Sequence, residues 1–178
     1  MIEISEIKNK IGLGITNPYR VSCNNKKTYA VKFPGNPGGK KVLINEFICS
    51  ELGKKLNLPI LNSALIQVKL SDYSSYMKND LNLIEGTAFG TEYNDNAMPV
   101  ISPRMIINST NKNDAIKILI FDLLVANYDR NEGNLLIDAK ANKIIMIDHS
   151  HVFDIGPLWD KYQLPRLIHD EFNINKLN

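Results

Sequence analysis

Residues 129–148 restrict this chain more than any other stretch. Leu135-Leu136-Ile137 and Ile144-Ile145-Met146-Ile147 are short apolar runs separated by the polar segment Asp138-Ala139-Lys140-Ala141-Asn142-Lys143, a pattern that suits a β-hairpin. In an antiparallel pair the start of the first strand lies across from the end of the second, which sets Asn134 beside Asp148. Asp129 is one tight loop away from both. Upstream, apolar residues at 116, 118 to 121 and 123 to 126 predict a helix from about Ala115 to Tyr128, capped by Asn113 or Asp114. Apolar cover around most of its circumference predicts that it is buried, so it would carry Asp129 out of the core on a rigid mount. Asp122, within that helix, reads as a buried or interfacial hydrogen-bonding acid.

An acid, an amide five residues later and a second acid at a strand end are what phosphoryl transfer needs to orient a hydroxyl and hold magnesium. Magnesium prefers oxygen ligands and keeps part of its water shell, so one carboxylate, one amide oxygen and nucleotide phosphates complete a site. Asp148 and Asn134 fit as metal ligands, which leaves Asp129 to accept the proton of an attacking hydroxyl. Asp and Asn are also ordinary turn residues. The second acid, at the far end of the hairpin, is what favours the chemical reading.

The first half offers a partner for that loop. In Thr28-Tyr29-Ala30-Val31-Lys32-Phe33, alternation sends Tyr29, Val31 and Phe33 to one face and Ala30 and Lys32 to the other. Ala30 leaves room for a flat base while Lys32 reaches phosphates, as in the Val-Ala-Ile-Lys strand of protein kinases; an edge strand with a solvated lysine is the alternative. Ile11-Gly12-Leu13-Gly14-Ile15 reads either as a glycine loop feeding the strand Tyr19–Cys23, with Gly12 and Gly14 near phosphates, or as a plain turn. A helix is predicted from about Val42 to Leu56, with Leu43, Phe47, Ile48, Leu52 and Leu56 as its apolar face. Glu46, or Glu51 further along, is placed to pair with Lys32; Glu46 is nearer the preceding loop and is the choice. Gly35-Asn36-Pro37-Gly38-Gly39-Lys40-Lys41 mimics a phosphate-binding P-loop, but it is one residue short between glycines and has Lys41 where a hydroxyl is needed. Ser63 to Leu70 alternates as a half-buried strand. From Asp72 to about Pro103 the chain is polar, and Glu85-Gly86-Thr87-Ala88-Phe89-Gly90 is either a hinge or a surface loop.

Composition narrows the partners. With 178 residues and 44% hydrophobic content, the chain can bury one core or two small ones. Twenty-one basic against nineteen acidic residues give a net charge of +2, too balanced for nucleic acid or an anionic membrane as the main partner. Lys26, Lys27, Lys40 and Lys41 fit a solvated face. Cys23 and Cys49 lack metal-ligand spacing, no apolar run approaches the roughly 20 residues of a membrane span, and a reducing cytoplasm is expected. His149-Ser150-His151 lacks a nearby third ligand for a metal. Trp159 reads as a core residue.

Taken in order, Tyr29-Ala30-Val31-Lys32-Phe33, Leu43-Ile44-Asn45-Glu46-Phe47, Leu56-Asn57-Leu58-Pro59, Asn127-Tyr128-Asp129-Arg130-Asn131-Glu132-Gly133-Asn134 and Ile147-Asp148-His149-Ser150-His151-Val152-Phe153 resemble the HipA-like kinases. These are bacterial relatives of the HipA toxin, distantly similar to phosphatidylinositol 3- and 4-kinases. Their Asp-Arg-His-x-x-Asn loop is echoed with Asn131 in place of the histidine. The resemblance spans roughly residues 11 to 155 and implies an α+β, two-lobed protein-kinase-like fold over residues 1–178. A small antiparallel sheet and a helix would form the N-lobe (1–90), and a mainly helical C-lobe with the hairpin would follow (91–178). It implies ATP and Mg2+ as cofactors and a Ser or Thr hydroxyl of a protein as acceptor. By motif, Lys32 would hold the nucleotide phosphates with Glu46 beside it, Gly12, Gly14 and Ala30 would line the nucleotide, Asp129 would be the base, and Asn134 with Asp148 would bind the metal. Twenty-five residues follow Phe153, where family members continue into a larger helical lobe. The chain is therefore expected to be a minimal member, a fragment or a truncated copy. Two alternatives stand beside a protein kinase: a catalytically weak or inactive pseudokinase-like nucleotide-binding module, and a kinase of a small-molecule or lipid alcohol.

Overall fold

The computed structural model describes residues 1–12, 16–73 and 83–153. The first part is a closed five-stranded barrel of β1 (Ile2–Lys10), β2 (Tyr19–Cys23), β3 (Thr28–Lys32), β4 (Ser63–Val68) and β5 (Gly86–Glu92), in spatial order β1-β2-β3-β5-β4. Neighbours are antiparallel except at the seam, where β1 meets β4 in parallel through Ile2↔Ile66 and Glu3↔Gln67. Every strand of the barrel has a neighbour on both sides, the seam being the shortest pairing at two residue pairs. Alternation sends Val21, Tyr29, Val31, Ile66, Val68 and Ala88 into a dry interior. Residues Ala30 and Lys32 take the opposite face of β3, as their spacing predicts.

Three expectations change in this part. β1 was not anticipated, because its outer positions are charged and only Ile2, Ile4 and Ile7 pack against the barrel core. The stretch 86–90 is neither hinge nor surface loop: it belongs to β5, between β3 and β4. Gly90 is small because the interior is full there; a Cβ would lie 2.6 Å from the Cδ1 of Ile66, 3.2 Å from Tyr29 and 3.3 Å from Val31. Because β5 runs to Glu92, the chain changes sheets over residues 93–96 rather than at 90.

The third change concerns α1, which spans Gly39–Lys55. Its buried stripe is Val42, Leu43, Asn45, Glu46, Cys49, Ser50 and Gly53, whereas Phe47, Ile48 and Leu56 are 38–51% exposed. The face toward the molecule carries polar groups with defined partners, so hydrophobicity alone points to the wrong side. The preceding P-loop mimic is an Asn36-centred turn: Asn36 Nδ2 donates to the carbonyls of Phe33 (2.7 Å) and Gly39 (3.1 Å), and its Oδ1 accepts from the Gly38 N–H (2.9 Å).

The second part holds a three-stranded antiparallel sheet of β6 (Ala97–Pro99), β7 (Leu135–Asp138) and β8 (Lys143–Met146), with α2 (Pro103–Ile107) and α3 (Asp114–Leu124). The hairpin that the sequence predicts is present, with Leu135 paired with Met146 and Asp138 with Lys143, a register that sets Asn134 across from Ile147. The Asn111 amide completes the free edge of β8, accepting from the Ile144 N–H (2.7 Å) and donating to the Ile144 carbonyl (3.1 Å). Cys49, Val100, Ile118, Phe121, Val125, Ile137, Ile144, Met146 and Val152 form a second core, which joins α1 to the hairpin.

Helix α3 is shorter and more open than expected. It ends at Leu124, because Ala126 takes a left-handed φ of 52° and the Asn127 N–H returns to the Asp122 carbonyl. Only Ile118, Phe121 and Asp122 are buried; Ile116, Leu119, Ile120, Leu123 and Leu124 are 52–70% exposed. The hairpin covers one face of the helix, and a continuous apolar sequence needs cover on all of them. Gly14, Trp159 and His169 lie outside the described residues, as does the stretch 154–178 on which most of the expected helical lobe depends. No helix among the described residues is long and apolar enough to cross a membrane.

Replacing Gly90 by valine forces two further methyl groups into the barrel. The substitution is expected to lower stability by about 1–3 kcal/mol, measured as a fall in the urea midpoint with an unchanged slope.

Candidate active site

Lys32 reaches the end of β3 with its ammonium 14 and 116 residues, in sequence, from its two acidic partners, Glu46 on α1 and Asp148 after β8. It pairs with the Glu46 carboxylate and donates to Asp148 Oδ1 (2.9 Å) and to Ser150 Oγ (2.8 Å). Residues Lys32, Glu46 and Ser150 are all buried. Burial works against the lysine's charge, but the two carboxylates outweigh it and raise its pKa above the usual value. One ammonium is shared by two acids, and the acids respond differently. Glu46 is raised, chiefly by burial and further by the Asp148 charge. Asp148 also feels burial, but Lys32 and the Ser150 hydroxyl and N–H hold it well below the usual carboxylate range.

The loop between α3 and β7 is held from within by Arg130. Its Nε and Nη2 make a bidentate pair with Asp122 (2.8 and 2.9 Å), Nη1 donates to the carbonyls of Asn134 (2.6 Å) and Ile147 (2.7 Å), and Nη2 also donates to His149 Nε2 (3.0 Å). Since a guanidinium only donates, His149 accepts at Nε2 and carries its proton on Nδ1. Burial, reinforced by the Arg130 charge, lowers the His149 pKa to about 4. Asp122 is thus the buried hydrogen-bonding acid that the sequence suggests; it also accepts from Asn127 Nδ2 (2.8 Å).

These contacts bring the two ends of the hairpin together. The Ile147 N–H donates to the Asn134 carbonyl (3.1 Å), and Asn134 Nδ2 donates to the Asp129 carbonyl (2.7 Å). Asn134 Oδ1 and Asp148 Oδ2 have no hydrogen-bond partner among the described residues. The Asp129 N–H is held by Asn127 Oδ1 (3.1 Å), while its carboxylate is exposed and free of hydrogen bonds among the described residues.

A cavity of about 450 Å³ opens between barrel and hairpin. Gly12, Ala30 and Lys32 line it from the barrel, Tyr93 and Asn94 from the crossing segment, and Leu136, Met146 and Asp148 from the hairpin side. Of the residues singled out in the sequence, Lys32, Glu46, Ala30, Gly12 and Asp148 border this space, and Asn134 is tied to the same hairpin end; Asn134 and Asp129 are not among its lining residues. Glu51 pairs with Lys54 instead. No group of three or more His, Cys, Asp or Glu side chains that could hold a metal occurs among the described residues. Burial pushes Cys49 up to about 12 and Cys23 up to about 11, which leaves both as inert thiols. Arg130, Ser150 and Asn45 were missed in the sequence. Their proximity to Asp129, Asp148 and Glu46 was the only available signal.

A closed barrel with one helix, joined to a hairpin that returns an acid to the barrel's lysine, defines a protein-kinase-type fold. The chain is similar to a solved proinflammatory kinase from Helicobacter pylori, CtkA (17% identity, 96% of this chain, 67% of that chain, TM-score 0.54). It also aligns with the Rio2 kinase from Chaetomium thermophilum, solved as an ADP/Mg2+-phosphoaspartate complex (14% identity, 96% of this chain, 57% of that chain, TM-score 0.49). No curated protein matches the sequence. Residues 4–157 match the HipA-like kinase family, and the chain belongs to it.

Two outcomes follow from the loop. His149 stays neutral in the fold while the unfolded chain takes up a proton at the usual 6.5, so stability is complete above pH 6.5. It falls by about 3 kcal/mol as pH drops from about 6.5 to about 4. His149→Gln, which keeps an acceptor for Arg130 without a titrating ring, should flatten that slope in urea unfolding. Separately, Arg130→Leu strands the buried Asp122 charge and is expected to cost about 3–5 kcal/mol. Adding Asp122→Leu should recover part of that loss, giving a favourable coupling of more than about 1 kcal/mol in a double-mutant cycle.

Proposed function

We propose that the chain is an ATP- and Mg2+-dependent phosphotransferase that moves the γ-phosphate to a Ser or Thr hydroxyl of a protein. The observation that carries this reading is the Lys32 ammonium, shared by Glu46 and Asp148 at the wall of a cavity of nucleotide-compatible size. Family membership supports the reaction class, and a cavity lined by the barrel and α1 on one side and the hairpin on the other supports a two-lobed reading.

The residues present fit magnesium. One carboxylate oxygen, Asp148 Oδ2, and one amide oxygen, Asn134 Oδ1, are without hydrogen-bond partners among the described residues, and the Asn134 amide nitrogen is already committed to the Asp129 carbonyl. Two protein oxygens are too few for a closed cage but suit an ion completed by phosphates and water. When bound there, Mg2+ would neutralise charge on the β- and γ-phosphates. Lys32 would turn its ammonium to phosphate oxygens, with Glu46 preventing it from swinging out of the cavity. Asp129 would accept the acceptor's O–H proton as that oxygen bonds to the γ-phosphorus and the bond to the β–γ bridging oxygen breaks, with ADP leaving. The Asp129 backbone is fixed by Asn127 and Asn134 while its carboxylate faces solvent, where a bulky acceptor can approach. The two buried free thiols suit a reducing cytoplasm.

Incubation with labelled ATP and Mg2+ against protein, small-alcohol and lipid acceptors tests this reading. Asp129→Asn should slow transfer by about 10²- to 10⁴-fold while leaving ADP affinity within about threefold. Asp148→Asn should impair both transfer and Mg2+-dependent nucleotide binding. Label on a small alcohol or lipid alone would replace the protein acceptor. Nucleotide binding without transfer to any acceptor would make the chain a binding module, and no binding at all would sink both.

A further inference from the structure

We infer that Ser150 is the positioning residue that aims Asp148 at its cation, an inference that rests on the phosphotransferase reading above. Asp148 has a left-handed backbone with φ 58°, a conformation that Asp tolerates when its side chain bonds to the main chain two residues on. Here that bond is made twice by one residue. The Ser150 N–H (3.2 Å) and the Ser150 Oγ (2.6 Å) both meet Asp148 Oδ1. With Lys32 as third donor, Oδ1 is saturated, and Oδ2 is the oxygen left for a ligand.

The hydroxyl has one proton and three neighbours that compete for it or supply it. Lys32 Nζ donates to Oγ at 2.8 Å, so the hydroxyl proton goes either to Asp148 Oδ1 at 2.6 Å or to Glu46 Oε1 at 3.1 Å. The shorter contact assigns it to Asp148 in this state. Ser150 does not owe its own place to Asp148. Asn45 Nδ2, on α1, donates to the Ser150 carbonyl (2.9 Å) and the Val152 carbonyl (3.1 Å), so the serine is anchored to the helix that carries Glu46. When Lys32 turns toward a nucleotide, Asp148 loses its ammonium partner but keeps both Ser150 donors. The carboxylate therefore enters the loaded state already oriented, with Oδ1 held and Oδ2 presented.

Calorimetric titration of the full chain with ADP, at a series of Mg2+ concentrations, tests this assignment. Ser150→Ala should raise the Mg2+ concentration that gives half-maximal ADP tightening by about 10- to 100-fold, the usual cost of removing a partner of a metal-binding carboxylate. ADP affinity without Mg2+ should stay within about twofold, since Ser150 acts on the cation's ligand and not on the nucleotide. Ser150→Cys, similar in shape with only a weak donor, should show the same shift and serves if the alanine variant does not fold. Either variant having native Mg2+ dependence, or losing ADP affinity equally with and without Mg2+, overturns the assignment. A native chain that binds no ADP at any Mg2+ concentration overturns the phosphotransferase reading and the inference with it.

Discussion

A buried ammonium ties the molecule together. Lys32 sits at the end of β3 with little water around it, and an unpaired charge in such a place costs several kcal/mol. Its partners come from two elements beyond its own strand: α1 through Glu46, and the segment after β8 through Asp148 and Ser150. Neither of them supplies all of its partners. The relative placement of barrel, helix and hairpin is thus fixed by the need to keep one charge solvated by protein groups. Those same groups are the ones that the proposed phosphoryl transfer would use.

Arg130 plays the corresponding part on the other side of the cavity. A planar fork that saturates one acid, two peptide carbonyls and a histidine leaves the loop between Asp129 and Asn134 little freedom, and it binds that loop to the strand end that delivers Asp148. The carboxylate of Asp129 is the exception, exposed on a backbone that is otherwise hydrogen-bonded. Precision in the frame with freedom at one side chain is what a group needs when it must meet a bulky acceptor from solvent.

How much of this was legible depended on whether a local pattern had a single cause. Alternation in 28–33 is the mark of a strand with two unlike faces, so β3 and the face shared by Ala30 and Lys32 were readable. The hairpin was readable for the same reason, and its first end, Asn134, is hydrogen-bonded to Ile147, the residue before Asp148. Helix α1 was misread because its inward face exists to hold Asn45, Glu46 and Ser50, and a hydrophobic stripe is no guide to a face chosen for hydrogen bonds. Helix α3 was misread in the opposite sense, since Leu119, Ile120, Leu123 and Leu124 are apolar yet exposed. β5 escaped because two glycines and a threonine look like a loop until their neighbours Ile66, Tyr29 and Val31 are known. The contacts of Arg130 and Ser150 depend on groups brought together from distant parts of the chain, which no local pattern encodes.

The parallel seam of the barrel has a consequence for synthesis. β1 finds β2 at once across a hairpin, but its other edge waits for β4, since Ile2 pairs with Ile66 and Glu3 with Gln67. On a ribosome adding roughly 5–20 residues per second, that edge stays open for several seconds, with Ile2 and Ile4 available to any other strand. Within the native barrel the start of that edge, Ile2 and Glu3, is paired with β4. Over that interval the charges of Glu3, Glu6 and Lys8 disfavour pairing of the open strand with another copy.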